Sequence, residues 1–308
     1  EVRALARGPD GSLWIGTANG LTQFDGRAFT SFTTDDGLPG NAVWALAADS
    51  VSVWIGTEGG LSRFQDGRFA NFTTENGPTS NWVRSLARDP GGVLWVGTRG
   101  GLSRLDSAGF AHVLNQGYAR SDVACLQLGG AGALWVGTEG GLWQHRGGRS
   151  VLRDSTAAVS ALLKDSAGRI WMAAPLDGGG STGDGPQGGL RVVAGDRPVA
   201  LDGPFSATAV RTLAEDREGS IWVGTEEGCF RYDAGRFETA TRADGLASDV
   251  VRALLVTADG RVWAGTAAGL CRREHGRWRT FTAADGLAAS DVQCLWEDRD
   301  GTLWIGTT

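Results

Sequence analysis

Short apolar runs of five or six residues, separated by glycine-bearing turns, recur along the whole chain. One kind of run opens with a valine, a variable residue, a small residue and a leucine. It reads Val2-Arg3-Ala4-Leu5, then Val43-Trp44-Ala45-Leu46, Val83-Arg84-Ser85-Leu86 and Val123-Ala124-Cys125-Leu126. The same run returns at Val159-Ser160-Ala161-Leu162, Val210-Arg211-Thr212-Leu213, Val251-Arg252-Ala253-Leu254 and Val292-Gln293-Cys294-Leu295. A strand that is apolar without alternation is one buried on both faces. We designate this run strand A, the innermost of its sheet, with the small residue at a narrow taper.

A second run follows a turn and carries the signature Trp-x-Gly-Thr, beginning at Trp14, Trp54, Trp95, Trp135, Trp222, Trp263 and Trp304, with a degenerate copy at Trp171-Met172-Ala173-Ala174. Successive tryptophans are separated by 40, 41, 40, 36, 51, 41 and 41 residues. The turn before it has glycine three places ahead of the tryptophan in seven of eight copies, a residue that permits positive φ. The glycine inside this strand B leaves room for a bulky neighbour, expected to be the tryptophan of the adjacent sheet. Strand C starts after another glycine, as in Gly60-Leu61-Ser62-Arg63-Phe64. Turns such as Asp66-Gly67-Arg68 lead into strand D, and a loop such as Asp36-Gly37-Leu38-Pro39-Gly40-Asn41 returns to the next strand A.

A strand-rich period near forty residues is the signature of propeller blades. The pattern predicts an all-β protein, a β-propeller of seven four-stranded blades near residues 1–40, 41–80, 81–120, 121–156, 157–206, 207–248 and 249–290. Residues 291–308 are a partial eighth repeat of strands A and B. A ring of eight blades with a truncated last one is the alternative, and the chain is expected to be a piece of a longer protein. The repeat tryptophans are expected in the core.

Composition narrows the chemistry. The 308 residues carry 49 glycines, 13 tryptophans and a net charge of −6 with both signs interspersed; Lys164 is the sole lysine. Binding along a phosphate backbone needs a concentrated positive face, so nucleic acid is not an expected partner. No run of 18 apolar residues occurs. The three histidines, His112, His145 and His275, share no sequence frame and are expected on solvated outer strands. The four cysteines are expected as buried free thiols: Cys125 and Cys294 in the small-residue slot of strand A, Cys229 and Cys271 in strand C. No metal-ligand spacing, nucleophile elbow or phosphate loop is present. No cofactor, metal or catalytic residue is therefore expected. The glycine-rich B–C insertion near 174–188 reads as a loop.

The unit Gly-Leu-Pro-Gly-Asn-x-Val (37–43), with Leu46, Asp49 and Trp-Ile-Gly-Thr-x-x-Gly-Leu-x-x-Phe (54–64), resembles the two-component regulator propeller repeat. The resemblance runs through nearly the whole chain in eight partial or complete copies, with the fifth departing most. It implies the periplasmic or extracytoplasmic sensor region of a membrane-bound signalling protein. Downstream signalling domains, a histidine kinase or a diguanylate cyclase, would then lie in the same chain, and homodimerisation would run through the full-length protein. It also implies a small-molecule or oligosaccharide ligand.

Function in such rings sits on loops held by a rigid scaffold. The D–A and B–C loops share the face where strand A begins. The variable strand-A residue there, large and polar in an apolar strand, is expected to open onto the channel mouth. The candidate ligand-binding residues are Trp44, Arg84, Arg211 and Arg252 from strand A. Asn41, Asn81 and Trp82 join them from D–A loops, and Glu58 and Arg99 from B–C loops. Aromatic faces stack on sugar rings, and arginines and carboxylates hydrogen-bond hydroxyls or acids. The competing reading pairs the arginines with neighbouring B–C glutamates to hold blades together. A protein-interaction scaffold and, less so, a propeller lyase or hydrolase are the other function classes.

Overall fold

A computed structural model describes residues 1–113, 122–155, 158–174, 189–194, 197–201, 203–204 and 208–308. Most of the B–C insertion lies outside the described residues. The described residues are almost all β: they form seven four-stranded antiparallel sheets and one two-stranded sheet, each meandering in chain order. This is the blade architecture of a β-propeller. The A strands are Val2–Arg7, Val43–Ala48, Val83–Arg88, Val123–Leu128, Ala161–Lys164, Val210–Glu215 and Val251–Val256. The two-stranded sheet pairs Val292–Glu297 with Leu303–Thr307. No helix among the described residues is long and apolar enough to cross a membrane.

The described residues fall into two compact units, Glu1–Val151 and Leu152–Thr308. In the first, core clusters straddle successive blades. Trp14 packs with Val43 and Ile55, Trp54 with Val83 and Val96, and Trp95 with Val123 and Val136. In the second, Trp171 packs with Val210 and Val223, and Trp222 with Val251 and Ala264. The repeat indoles are thus the apolar filling between one blade and the next.

The strand-B glycine makes room for a different residue from the one expected. A Cβ on Gly16 would stand 2.5 Å from Val43 Cγ1, and one on Gly56, Gly97 or Gly265 would stand 2.6 Å from Cγ1 of Val83, Val123 or Val292. At Gly224 the distance to Val251 is 2.8 Å. The occupant is the first valine of the next blade's strand A, not a tryptophan. The tryptophan lies two residues earlier on strand B, so it faces the same way as the glycine but further along the strand.

The A–B turns follow the glycine rule: Gly11, Gly92, Gly132, Gly168, Gly219, Gly260 and Gly301 have φ between +72° and +88°. An aspartate at the end of strand A accepts the indole N–H of its own blade. Trp54 donates to Asp49 at 3.1 Å, Trp95 to Asp89 at 3.2 Å, Trp171 to Asp165 at 2.8 Å and Trp222 to Asp216 at 2.9 Å. The carboxylate also accepts backbone N–H groups of the turn, as Asp49 does from Val51 and Ser52. One short side chain therefore ties hairpin to core.

Candidate functional site

In seven A–B hairpins the register slips by one residue beside the opening valine. Val83 pairs with Thr98 and Ser85 with Gly97, leaving Arg84 as the extra residue of a β-bulge. The same residue is extra in the other hairpins: Arg3, Trp44, Ala124, Arg211, Arg252 and Gln293. Bulges re-aim a side chain out of the ladder. The variable strand-A position and the bulge are the same residue, which explains how a large polar side chain is tolerated in a buried strand.

Strand register sets what meets these residues. Val43 lies opposite Thr57 and Val83 opposite Thr98, so Glu58 and Arg99 emerge at the same ends as Trp44 and Arg84. The Arg99 N–H donates to the Trp82 carbonyl at 3.1 Å. In the first unit the result is a ladder of two neighbouring indoles flanked by guanidinium groups. The Arg3 guanidinium lies 4.0 Å over Trp44, the Trp44 and Trp82 rings are 6.2 Å apart, and the Arg99 guanidinium lies 3.5 Å over Trp82. Arg84 sits 6.0 Å from the Trp44 centroid. Its Nη1 donates to Asp122 Oδ2 at 2.5 Å, while Arg99 Nε is 3.9 Å from that same oxygen. Arg3 pairs with Glu1 at 3.2 Å.

Five buried polar atoms at this end have no hydrogen-bond partner among the described residues: Arg3 Nη1, Trp44 Nε1, Trp82 Nε1, Glu58 Oε2 and Asp122 Oδ1. Buried polar atoms are ordinarily paired, so a cluster of orphans asks for an explanation. Glu58 reaches its place because Gly40 has no side chain; a Cβ there would stand 2.9 Å from the Glu58 carboxyl carbon.

The remaining candidates have partners of their own. Asn41 Oδ1 accepts from Thr34 N at 2.9 Å and Asn81 Oδ1 from Thr74 N at 2.8 Å, so both brace the backbone of their D–A loops. In the second unit Arg211 pairs with Glu226 of its own B–C loop. Arg252 Nε donates to Asp291 Oδ1, directly before the next strand A, at 2.7 Å. Pairing with a B–C glutamate therefore holds for Arg211, whereas Arg84 and Arg252 use an aspartate of the following blade. The structure brings Trp44, Trp82, Arg84 and Arg99 together, and adds Arg3 and Asp122, which were not among the candidates. Asp122 stands immediately before Val123 as Asp291 stands before Val292, and that shared offset was its signal.

Comparison with known proteins bears on the identity of the repeat. The family described as two component regulator propeller matches residues 77–100, 204–227, 245–268 and 286–308. Four repeats of this chain are similar to that family's repeat. Each matched segment runs from the D–A loop through strand B, and together they contain the bulge residues Arg84, Arg211 and Arg252 and the loop residues Trp82 and Arg99. A comparison with curated proteins finds no match.

Among solved structures, the chain is similar to a computationally designed protein, with 17% identity, a TM-score of 0.68 and coverage of 100% of this chain and 96% of that one. It is similar to a streptogramin B lyase with 13% identity, a TM-score of 0.63 and coverage of 87% and 91%. It also aligns with the extracellular domain of a hybrid two-component system of B. thetaiotaomicron, with 21% identity, a TM-score of 0.48 and coverage of 100% and 52%. The chain thus spans about half the length of that domain. At these identities the likeness is one of fold.

The other polar candidates fall away from the ladder. His112 and His275 are exposed, but His145 is buried, contrary to the expected solvated position. Its ring stands 5.2 Å from Trp95, edge to face, and its Nδ1 is 2.8 Å from Ser150 Oγ. Burial, and then the charge of Arg104, pushes the imidazole pKa down. All four cysteines are free thiols; Cys229 and Cys271 are buried and Cys125 and Cys294 half-buried. Burial pushes the Cys125 thiol up to about 12 and Cys294 to about 11. No group of three or more metal-ligating side chains gathers among the described residues.

Proposed function

We propose that this propeller is the sensor module of a signal-transduction protein, and that it recognises a small, carbohydrate-derived ligand at the strand-A bulge end of the first unit. The reading rests on one observation: five buried polar atoms without a partner among the described residues, two of them the indole nitrogens of Trp44 and Trp82, lie at the end where guanidinium groups stack on those two rings. Three are donors and two are acceptors, a mixture that sugar hydroxyls satisfy because each hydroxyl both donates and accepts. The half-buried indole rings of Trp44 and Trp82 supply the apolar surface that a pyranose ring covers. The family of the repeat supports the signalling role, an extracytoplasmic position and an output domain elsewhere in the full-length protein. In this reading the propeller binds and reports, and catalyses nothing.

The experiment is a thermal-shift and calorimetric screen of the purified chain against neutral and acidic mono- and oligosaccharides. A sugar that raises the melting temperature in the wild type and not in Trp44→Ala supports the reading. A panel with no binder would overturn it in favour of a protein-interaction scaffold.

A further inference from the structure

The third blade breaks the charge pattern of its neighbours. The residue after the strand-B threonine is Glu58, Glu139 or Glu226 in three blades and Ala18 or Ala267 in two others, but Arg99 in the third. Where the bulge residue is also arginine, the other blades neutralise it one to one: Arg211 has Glu226, and Arg252 has Asp291. In the third blade two arginines, Arg84 and Arg99, face the single carboxylate of Asp122. Arg84 takes it at 2.5 Å, and Arg99 is left at 3.9 Å, beyond hydrogen-bond reach. Arg99 is half exposed, and stacking 3.5 Å over Trp82 fixes the plane of its guanidinium. A guanidinium held flat presents two parallel N–H groups, the geometry that a carboxylate fills in bidentate fashion.

We infer that the ligand is an acidic saccharide and that Arg99 receives its carboxylate. The inference rests on the saccharide reading above and adds the charge of the ligand. The carboxylate supplies the anion missing from the third blade. The ring hydroxyls then meet the unpartnered indole N–H groups of Trp44 and Trp82 and the unpartnered oxygens of Asp122 and Glu58. A neutral sugar would satisfy the hydroxyl partners but leave Arg99 sharing the Asp122 carboxylate with Arg84. An aromatic acid would satisfy Arg99 but leave the two carboxylate oxygens without donors.

The test uses isothermal titration calorimetry with galacturonate and glucuronate disaccharides, their methyl esters, the neutral parent disaccharides and the corresponding sulfate esters. The wild type should bind an acid at least tenfold more tightly than its methyl ester. A charged hydrogen bond contributes roughly 1.5–3 kcal/mol, so Arg99→Gln should weaken the acid by about ten- to a hundredfold and bring acid and ester within about threefold of each other. Arg99→Lys, which keeps the charge without the fork, should fall between; circular dichroism verifies that each variant folds. Equal affinity for acid and ester, or an equal loss for both in Arg99→Gln, overturns the inference and leaves the saccharide reading standing. Preference for a sulfate ester overturns the carboxylate. Binding of none of these sugars brings down both.

Discussion

The Cγ1 methyl of Val43 stands where a side chain on Gly16 would have to go, 2.5 Å from the position of its Cβ. The same approach recurs between Gly56 and Val83, Gly97 and Val123, Gly224 and Val251, and Gly265 and Val292. No positive φ accompanies these glycines, so they are required by space and not by backbone conformation. Strand B of one blade and strand A of the next are locked by the absence of one atom.

That lock is testable at Gly56. Adding a methyl group in Gly56→Ala forces it against Val83 and should destabilise the fold by about 1–3 kcal/mol, the usual range for overpacking. Val83→Ala should also destabilise by leaving a cavity. Because the two residues share one contact, the double variant should lose less than the sum of the singles. Urea unfolding curves of the four proteins measure the coupling; strict additivity would mean the contact is not the constraint.

Asp165 predicts an acid limb in stability. Burial pushes its carboxyl up, but hydrogen bonds from Trp171 and Arg169 and the Arg169 charge outweigh it and hold the pKa below the usual value. A depressed carboxyl stabilises the fold above the unfolded pKa of about 4, and that contribution disappears as pH falls through the folded value. Asp165→Ala should cost about 1–3 kcal/mol at neutral pH, because the buried Trp171 N–H loses its acceptor, and should flatten the acid limb. Denaturation midpoints between pH 7 and 2 decide it; an unchanged limb removes Asp165 as its source.

His145 should act in a different window. Its folded pKa lies below the unfolded value, so the unfolded chain binds the extra proton first. The stability contribution is complete above about pH 6.5 and declines as pH falls below it. His145→Gln should remove the slope between roughly pH 7 and 5 while leaving the lower, carboxylate-driven limb. NMR titration of the imidazole, compared with that of an unfolded peptide, checks the direction; a raised value would refute it.

Much of this structure could be read along the chain. The glycines three places before seven of the eight repeat tryptophans, the apolar A strands and the burial of six repeat indoles follow from local pattern and appear in the blades, whereas Trp263 and Trp304 are only half-buried. The strand-B glycine announced a close neighbour but not its identity. The occupying valine lies 26 or 27 residues further on, in another sheet, and only packing brings it there. His145 looked like an outer-strand residue until Trp95 of the preceding blade covered it. Variability marked the strand-A position that the structure shows as the extra residue of a β-bulge, yet the bulge itself left no trace in composition. Asn41 and Asn81 looked free for a ligand, but they hold their own loops, a role fixed by the loop backbone.

The amino-acid sequence alone determined the repeat, the strand order within each blade and the core indoles, because these depend on neighbours a few residues apart and on which side chains avoid water. Which arginine met which carboxylate was decided by the tertiary structure. Charge pairing acts over a few ångströms between residues some forty positions apart, as between Arg84 and Asp122, so it is settled only when one blade docks against the next.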